Sequence, residues 1–145
     1  MTVFHSASEA ETEAVAERLA QGLRAGDLVL LYGDLGAGKT AFVRGLARGL
    51  GADPDEVSSP TFTLVQEYGA RVPLHHADLY RVTTRLDVQE LGLEEAADSG
   101  AVVTVEWADR LAGDPPPGAI CVRISDEGGD RRRIEVTGES GHSTR

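Results

Sequence analysis

The chain has 145 residues and a mass of 15.4 kDa, with 41% apolar and 26% charged residues, enough for one domain with a true core and too little for two. Its 24 acidic against 14 basic side chains leave a formal charge of −10 and a pI near 4.8, so a DNA or RNA backbone would meet a repulsive surface. The single Cys121 excludes an internal disulfide, no apolar run approaches the roughly 18 residues of a membrane span, and MTVFHSASEAETE lacks the basic start and apolar core of a signal peptide. A soluble, cytoplasmic protein with neither a membrane nor DNA as partner is expected.

In chain order, Ser8 followed three residues later by Glu11 reads as a capping box, and Val15, Ala16, Leu19, Ala20 and Leu23 recur at helical spacing up to Gly26. An amphipathic first helix is expected. Residues 28–32 (LVLLY) form a continuous apolar run of strand length, and the segment 33–40 turns it into a second helix that buries Phe42, Val43, Leu46, Ala47 and Leu50. Gly51 and Asp53-Pro54-Asp55 end that helix and open a polar loop through Ser58-Ser59-Pro60. Two strand-like segments, 61–68 (TFTLVQEY) and 72–78, flank Gly69-Ala70 as in a hairpin, and 84–98 carries Leu86, Leu91 and Leu93 in a helical pattern. Residues 101–105 (AVVTV) make another buried strand, ending on Glu106-Trp107. After Pro115-Pro116-Pro117-Gly118, the alternating segments 119–125 and 133–137, joined around Gly128-Gly129, predict an antiparallel hairpin at a sheet edge. One domain over 1–137 and a mobile tail over 138–145 complete the expectation.

Thirteen of the 14 bases are Arg, and Lys39 is the only Lys. It lies in Gly33-Asp34-Leu35-Gly36-Ala37-Gly38-Lys39-Thr40, which fits G-x-x-x-x-G-K-[ST] between an apolar strand and an amphipathic helix, the setting a phosphate-binding loop requires. Glycines at 36 and 38 let backbone N–H groups curl around phosphates, the helix N-terminus adds partial positive charge, and the Lys39 ammonium reaches between the terminal phosphates. Thr40 then offers its hydroxyl to Mg²⁺. A planar guanidinium does not match that point-charge geometry, a physical reason for one Lys in a chain that otherwise uses Arg. The dinucleotide fingerprint G-x-G-x-x-G fails because Ala41 stands where the third glycine is needed. A guanine reader of the Asn/Thr-Lys-x-Asp type would need a second Lys, which favours ATP over GTP.

Such a loop needs acids at the carboxyl ends of neighbouring strands to hold a metal and place a nucleophile. Glu106, directly after AVVTV, is the better metal ligand, and Asp78, after VPLHHA, the second acid; each also reads as a surface carboxylate at a strand end. His75, His76 and Asp78 resemble the beginning of a metal site, but no third group of ligands accompanies them, and the histidines read instead as strand surface and core. Thr61, in Ser58-Ser59-Pro60-Thr61, reads equally as a phosphate-sensing switch and as a proline-fixed entry into a strand. Arg131-Arg132-Arg133 reads as a solvated strand edge ahead of an RNA patch.

Taken together, GDLGAGKT at 33–40, SSPTFTLVQEY at 58–68, HADLYR at 76–81 and VEWADR at 105–110 resemble the TsaE family, the small bacterial ATPases needed for threonylcarbamoyladenosine (t⁶A) modification of tRNA. The resemblance runs from the first helix to about residue 112 and is loose in the hairpin and tail. It implies that Gly36, Ala37, Gly38, Lys39, Thr40 and Ala41 bind ATP, that Thr40 and Glu106 hold Mg²⁺, and that Asp78 is an essential acid in hydrolysis. Thr61 would be switch-like. Trp107 matches the family pattern beside the nucleotide and reads otherwise as a core tryptophan, while Glu9 falls near the base by its place in the first helix rather than by motif. The resemblance also implies a TsaB–TsaD-type protein partner, whose TsaD carries the transferase site, with tRNA met only indirectly; the acidic surface agrees with a protein partner.

The expected architecture is a three-layer α/β fold of the P-loop NTPase type, with a mixed, mostly parallel sheet, helices on both faces and an antiparallel C-terminal hairpin. A small-molecule kinase is the rival reading, weakened because no Arg-rich lid follows the core helices. A nucleotide-sensing regulator that needs no hydrolysis is the third.

Overall fold

Among the described residues, short apolar or alternating runs return to one seven-stranded sheet after the intervening helices and turns. The computed structural model describes residues 1–33, 38–57, 65–68, 72–79, 92–111 and 115–138. In order these form β1 (Thr2–Ser6), α1 (Glu9–Gln21), β2 (Leu28–Tyr32), α2 (Lys39–Leu50), a 3₁₀ turn (Pro54–Glu56), β3 (Val65–Tyr68) and β4 (Leu74–Asp78). There follow α3 (Leu93–Asp98), β5 (Val102–Glu106), a second 3₁₀ turn (Ala108–Arg110), β6 (Ile120–Asp126) and β7 (Arg132–Thr137). The expected turn at 69–70, the loop through 58–60, residues 61–64 of the strand-like segment 61–68, residues 84–91 of the helical pattern and the tail beyond Gly138 lie outside the described residues.

The sheet runs β1-β7-β6-β2-β5-β4-β3. Its four central strands, β6, β2, β5 and β4, are parallel, and both margins are antiparallel. Centrality explains composition: β2 and β5 lie between parallel neighbours and are covered on both faces, so they are apolar almost without interruption. On one face Val29, Leu31, Leu74, Val102, Ile120, Val122, Ile124 and Ile134 pack under α1 and α2. On the other, Leu30, Ala77, Val103 and Val105 pack with Ala96 and Ala97 of α3 and with Ala108 and Leu111. Helices therefore cover both faces, as expected.

The helices obey the local rules read from their sequences. Ser8 caps α1, its Oγ accepting from Glu11 N at 3.1 Å, and Glu11 Oε1 reciprocates by accepting from Ala7 N at 2.8 Å. All five predicted core residues of α2 are buried. That helix ends on Gly51 at φ 92, the left-handed cap that glycine adopts without a Cβ penalty.

Two expectations need correction. The first helix stops at Gln21, capped by Gly22 at φ −96, so Leu23 is buried from the turn that follows rather than from the helix. The C-terminal hairpin is real, with Cys121 opposite Thr137 and Asp126 opposite Arg132, but it is not the sheet edge. β1 pairs antiparallel along β7, from Thr2 opposite Val136 to Ser6 opposite Arg132, and forms the margin itself. The arginines of β7 are accordingly internal to the sheet and engaged: Arg132 Nη1 donates to Asp126 Oδ1 at 3.4 Å and Arg133 to Glu135.

Candidate functional site

Parallel strands bring their carboxyl ends to one rim, where β2, β5 and β4 place Tyr32, Glu106 and Asp78 beside the end of β6. Leu31 is in register with Glu106, and Glu106 with Asp78. The two acids thus sit on adjacent strands, at 2% and 9% exposure, far below a solvated strand-end carboxylate. Beside them β2 is followed by Gly33, and Gly38, at φ 106, directly precedes α2; residues 34–37, including Gly36 and Ala37 of the expected phosphate cradle, lie outside the described residues. No side chain caps α2, so a left-handed glycine, not a Ser or Asp, precedes its positive end.

Lys39, the first residue of α2, is 4% exposed despite its charge. Its Nζ donates to Gly33 O at 2.6 Å and stands 4.0 Å from the centroid of the Trp107 ring. Trp107 lies in the left-handed region at φ 59, alone among the described non-glycine residues, and so turns the chain sharply after Glu106. Arg110 lies over the same ring at 5.6 Å. The half-buried Trp107 ring thus lies against the Lys39 ammonium.

Thr40 follows, and its Oγ1 donates toward both Glu106 oxygens, at 3.2 Å to Oε1 and 3.3 Å to Oε2. A hydroxyl and a carboxylate this close are hard oxygen donors of the kind Mg²⁺ takes, one or two from protein with phosphate and water completing the shell. Ala41 is buried in the first turn of α2. Glu9 opens α1 and is exposed. It stands one turn before Thr12, whose Cγ2 lies 3.9 Å from the place a Cβ on Gly38 would occupy. Thr61 lies outside the described residues.

The contact that sequence reasoning missed is His76. It is 0% exposed, and its Nε2 lies 2.6 Å from Glu106 Oε2. Strand periodicity carried the signal: residues 74, 76 and 78 share one face of β4, so His76 faces the same side as Asp78. His75 points to the opposite face and lies 3.6 Å from Glu67 Oε1, which separates the two imidazoles.

On the other face, burial raises the Cys121 thiol above its ordinary pKa, against the opposing effects of Tyr32 and Arg123. Burial, and next the neighbouring Cys121, raise the Tyr32 phenol. No helix among the described residues is long and apolar enough to cross a membrane.

A family model for "Threonylcarbamoyl adenosine biosynthesis protein TsaE" matches residues 6–134. A Bacillus subtilis protein named "tRNA threonylcarbamoyladenosine biosynthesis protein TsaE" is 41% identical over 128 residues, covering 88% of this chain and 79% of its own length. A Synechocystis protein of the same name is 47% identical over 105 residues, 69% of this chain and 66% of its own. The crystal structure of Bacillus subtilis YdiB matches with a TM-score of 0.73 at 33% identity, over 96% of this chain and 86% of that one. With the family model spanning most of the sequence and the fold shared with a solved structure, the chain belongs to the TsaE family.

Proposed function

We propose that this chain is a Mg²⁺-dependent ATPase that serves t⁶A modification of tRNA through a TsaB–TsaD-type protein complex, meeting tRNA only by way of that complex. The observation that carries the reading is the convergence of Lys39, Thr40, Glu106 and Asp78 at one sheet rim, with Thr40 Oγ1 within 3.3 Å of both Glu106 oxygens. The names of the relatives support the pathway. The charge of −10 and the carboxylate partners of Arg132 and Arg133 support a protein partner over direct contact with tRNA.

Each residue then has a task. The positive end of α2 and the loop amides bind the phosphates, and Lys39 leaves Gly33 O and the Trp107 face to meet the terminal phosphate charge. Thr40 and Glu106 hold Mg²⁺, which when bound neutralises charge developing on the phosphates. Asp78, one strand over from Glu106, orients the attacking water. Ala41 supplies a backbone N–H in the first turn, and Glu9 borders the base side of the loop. The burial of Asp78 and Glu106 keeps water from competing for these groups.

The test is ATP hydrolysis by the purified chain with Mg²⁺, alone and with a TsaB–TsaD pair, using Lys39→Ala as the blank. Turnover that the pair stimulates and the mutation abolishes is the expected result. Mg-ATP binding without hydrolysis in either setting would refute it in favour of a sensor, and transfer of phosphate to an added hydroxyl compound in favour of a kinase.

A further inference from the structure

A buried carboxylate is useful as a ligand only if something fixes its orientation. Glu106 is 2% exposed and, among the described residues, is approached by Thr40 on α2 and His76 on β4. These approaches differ in kind. Thr40 Oγ1 is nearly equidistant from the two oxygens, at 3.2 and 3.3 Å, and so does not choose between them. His76 Nε2 lies 2.6 Å from Oε2, from a side chain with no exposed surface and hence little freedom to move. A carboxylate oxygen only accepts, so Nε2 carries the proton and donates.

We infer that His76 is a positioning residue, its imidazole anchoring Glu106 Oε2 so that the carboxylate stays turned toward Thr40 and the end of the phosphate loop. The register makes the bridge possible. His76 pairs with Thr104, two residues before Glu106 on the same face of β5, so the imidazole crosses one step diagonally along the sheet. Partners that orient a metal-binding side chain typically matter by 10- to 100-fold in affinity. The inference rests on the proposed role of Glu106 in holding the cation.

The experiment uses the full chain with Mn²⁺ as the probe and ATPγS bound, free Mn²⁺ being read by electron paramagnetic resonance and nucleotide affinity measured separately in EDTA. His76→Leu removes the donor, and His76→Asn keeps polarity while placing its amide short of the Nε2 position. Both are expected to weaken Mn²⁺ about 10- to 100-fold with ATPγS affinity in EDTA unchanged. His76→Gln, whose amide nitrogen reaches the Nε2 position, is expected to restore most of the loss. Wild-type Mn²⁺ affinity in the Leu and Asn variants, with Glu106→Gln weak, would overturn the inference alone. A folded Gln variant as weak as Leu would also overturn it, since packing and not the hydrogen bond would be at stake. Wild-type Mn²⁺ affinity in Glu106→Gln would overturn the cation reading itself, and the inference with it.

Discussion

Gly45→Ala is a change that helix propensity alone would score as an improvement of about 1 kcal/mol, and the structure reverses its sign. Gly45 and Gly49 of α2 face Ala16 and Ala20 of α1, one helical turn apart on each side. A Cβ on Gly45 would lie 2.1 Å from Glu13 O and 2.7 Å from Ala16 Cβ; one on Gly49 would lie 2.5 Å from Ala20 Cβ. The obstruction at Gly45 is backbone carbonyl, which no rotamer change relieves, so the helices must part by about 1 Å to reach even the 3.0 Å floor of real contacts. A gap of that size forfeits a quarter to a half of the dispersion attraction between facing atoms, and overpacking of this kind costs about 1–3 kcal/mol. The surrounding ion pairs, Arg44 and Arg48 to Glu13 and Arg48 to Glu17, are partly solvated and too weak to resist. Set against the propensity gain, a net loss of about 1 kcal/mol follows, near 2–4 °C in Tm for a chain of this size. Gly22→Ala is the control, because at φ −96 its Cβ meets nothing nearer than Leu19 O at 3.7 Å; it should gain about 0.4–1 kcal/mol through the unfolded state. Urea unfolding followed by circular dichroism measures both. A Gly45→Ala protein as stable as wild type, with an unchanged m-value, would refute the close-packing argument.

Other expectations concern single groups. Asp78→Ala should lower complex-stimulated ATP turnover by about 10²-fold or more while leaving nucleotide binding near wild type, and full activity would remove Asp78 from the mechanism. Thr104→Val should be neutral or raise stability by up to about 1 kcal/mol, because the fully buried Thr104 hydroxyl has no hydrogen-bond partner among the described residues and valine keeps its shape; a clear drop in the urea midpoint would contradict this. The raised pKa values of Cys121 and Tyr32 carry a sign. The folded state holds these protons longer than the unfolded one, so their contribution is complete below the unfolded thiol value of about 8.5 and is lost as pH rises through the folded values. Stability should therefore fall on the alkaline side, less steeply in Cys121→Ala, and parallel urea midpoints of the two proteins from pH 7.5 to 10.5 would count against it.

What was legible in the sequence was local. The Ser8 and Glu11 box, the apolar run of β2, the buried set of α2 and the acid after β5 each declare themselves within a few residues, because capping and periodicity act over one or two turns. β1 does not, having one large aromatic, Phe4, and a partner strand some 130 residues away. Its pairing also decides that β7 is interior, which no inspection of Arg131-Arg132-Arg133 alone could supply. Strand order is equally remote: β2 borders β5 and β6 rather than the strands nearest it in the chain.

The residue types of the site were legible for the same local reason, and their mutual ties were not. Along one face of β4 run Leu74, His76 and Asp78, and along the same face of β5 Val102, Thr104 and Glu106. Both series pass from apolar to polar toward the carboxyl rim. α2 runs the other way and is graded to match, with Lys39 and Thr40 at the rim and Leu46 and Leu50 over the apolar ends, where Leu50 O accepts from Val72 N at 3.5 Å. Core and site are therefore one interface read from opposite ends. The packing of Leu46 and Leu50 on Leu74 and Val102 sets the height of α2 on the sheet, and that height places Thr40 at hydrogen-bonding distance from Glu106. A cavity at Leu46 should then disturb Thr40 and Glu106 more than an equal cavity on the α3 face, although neither touches them.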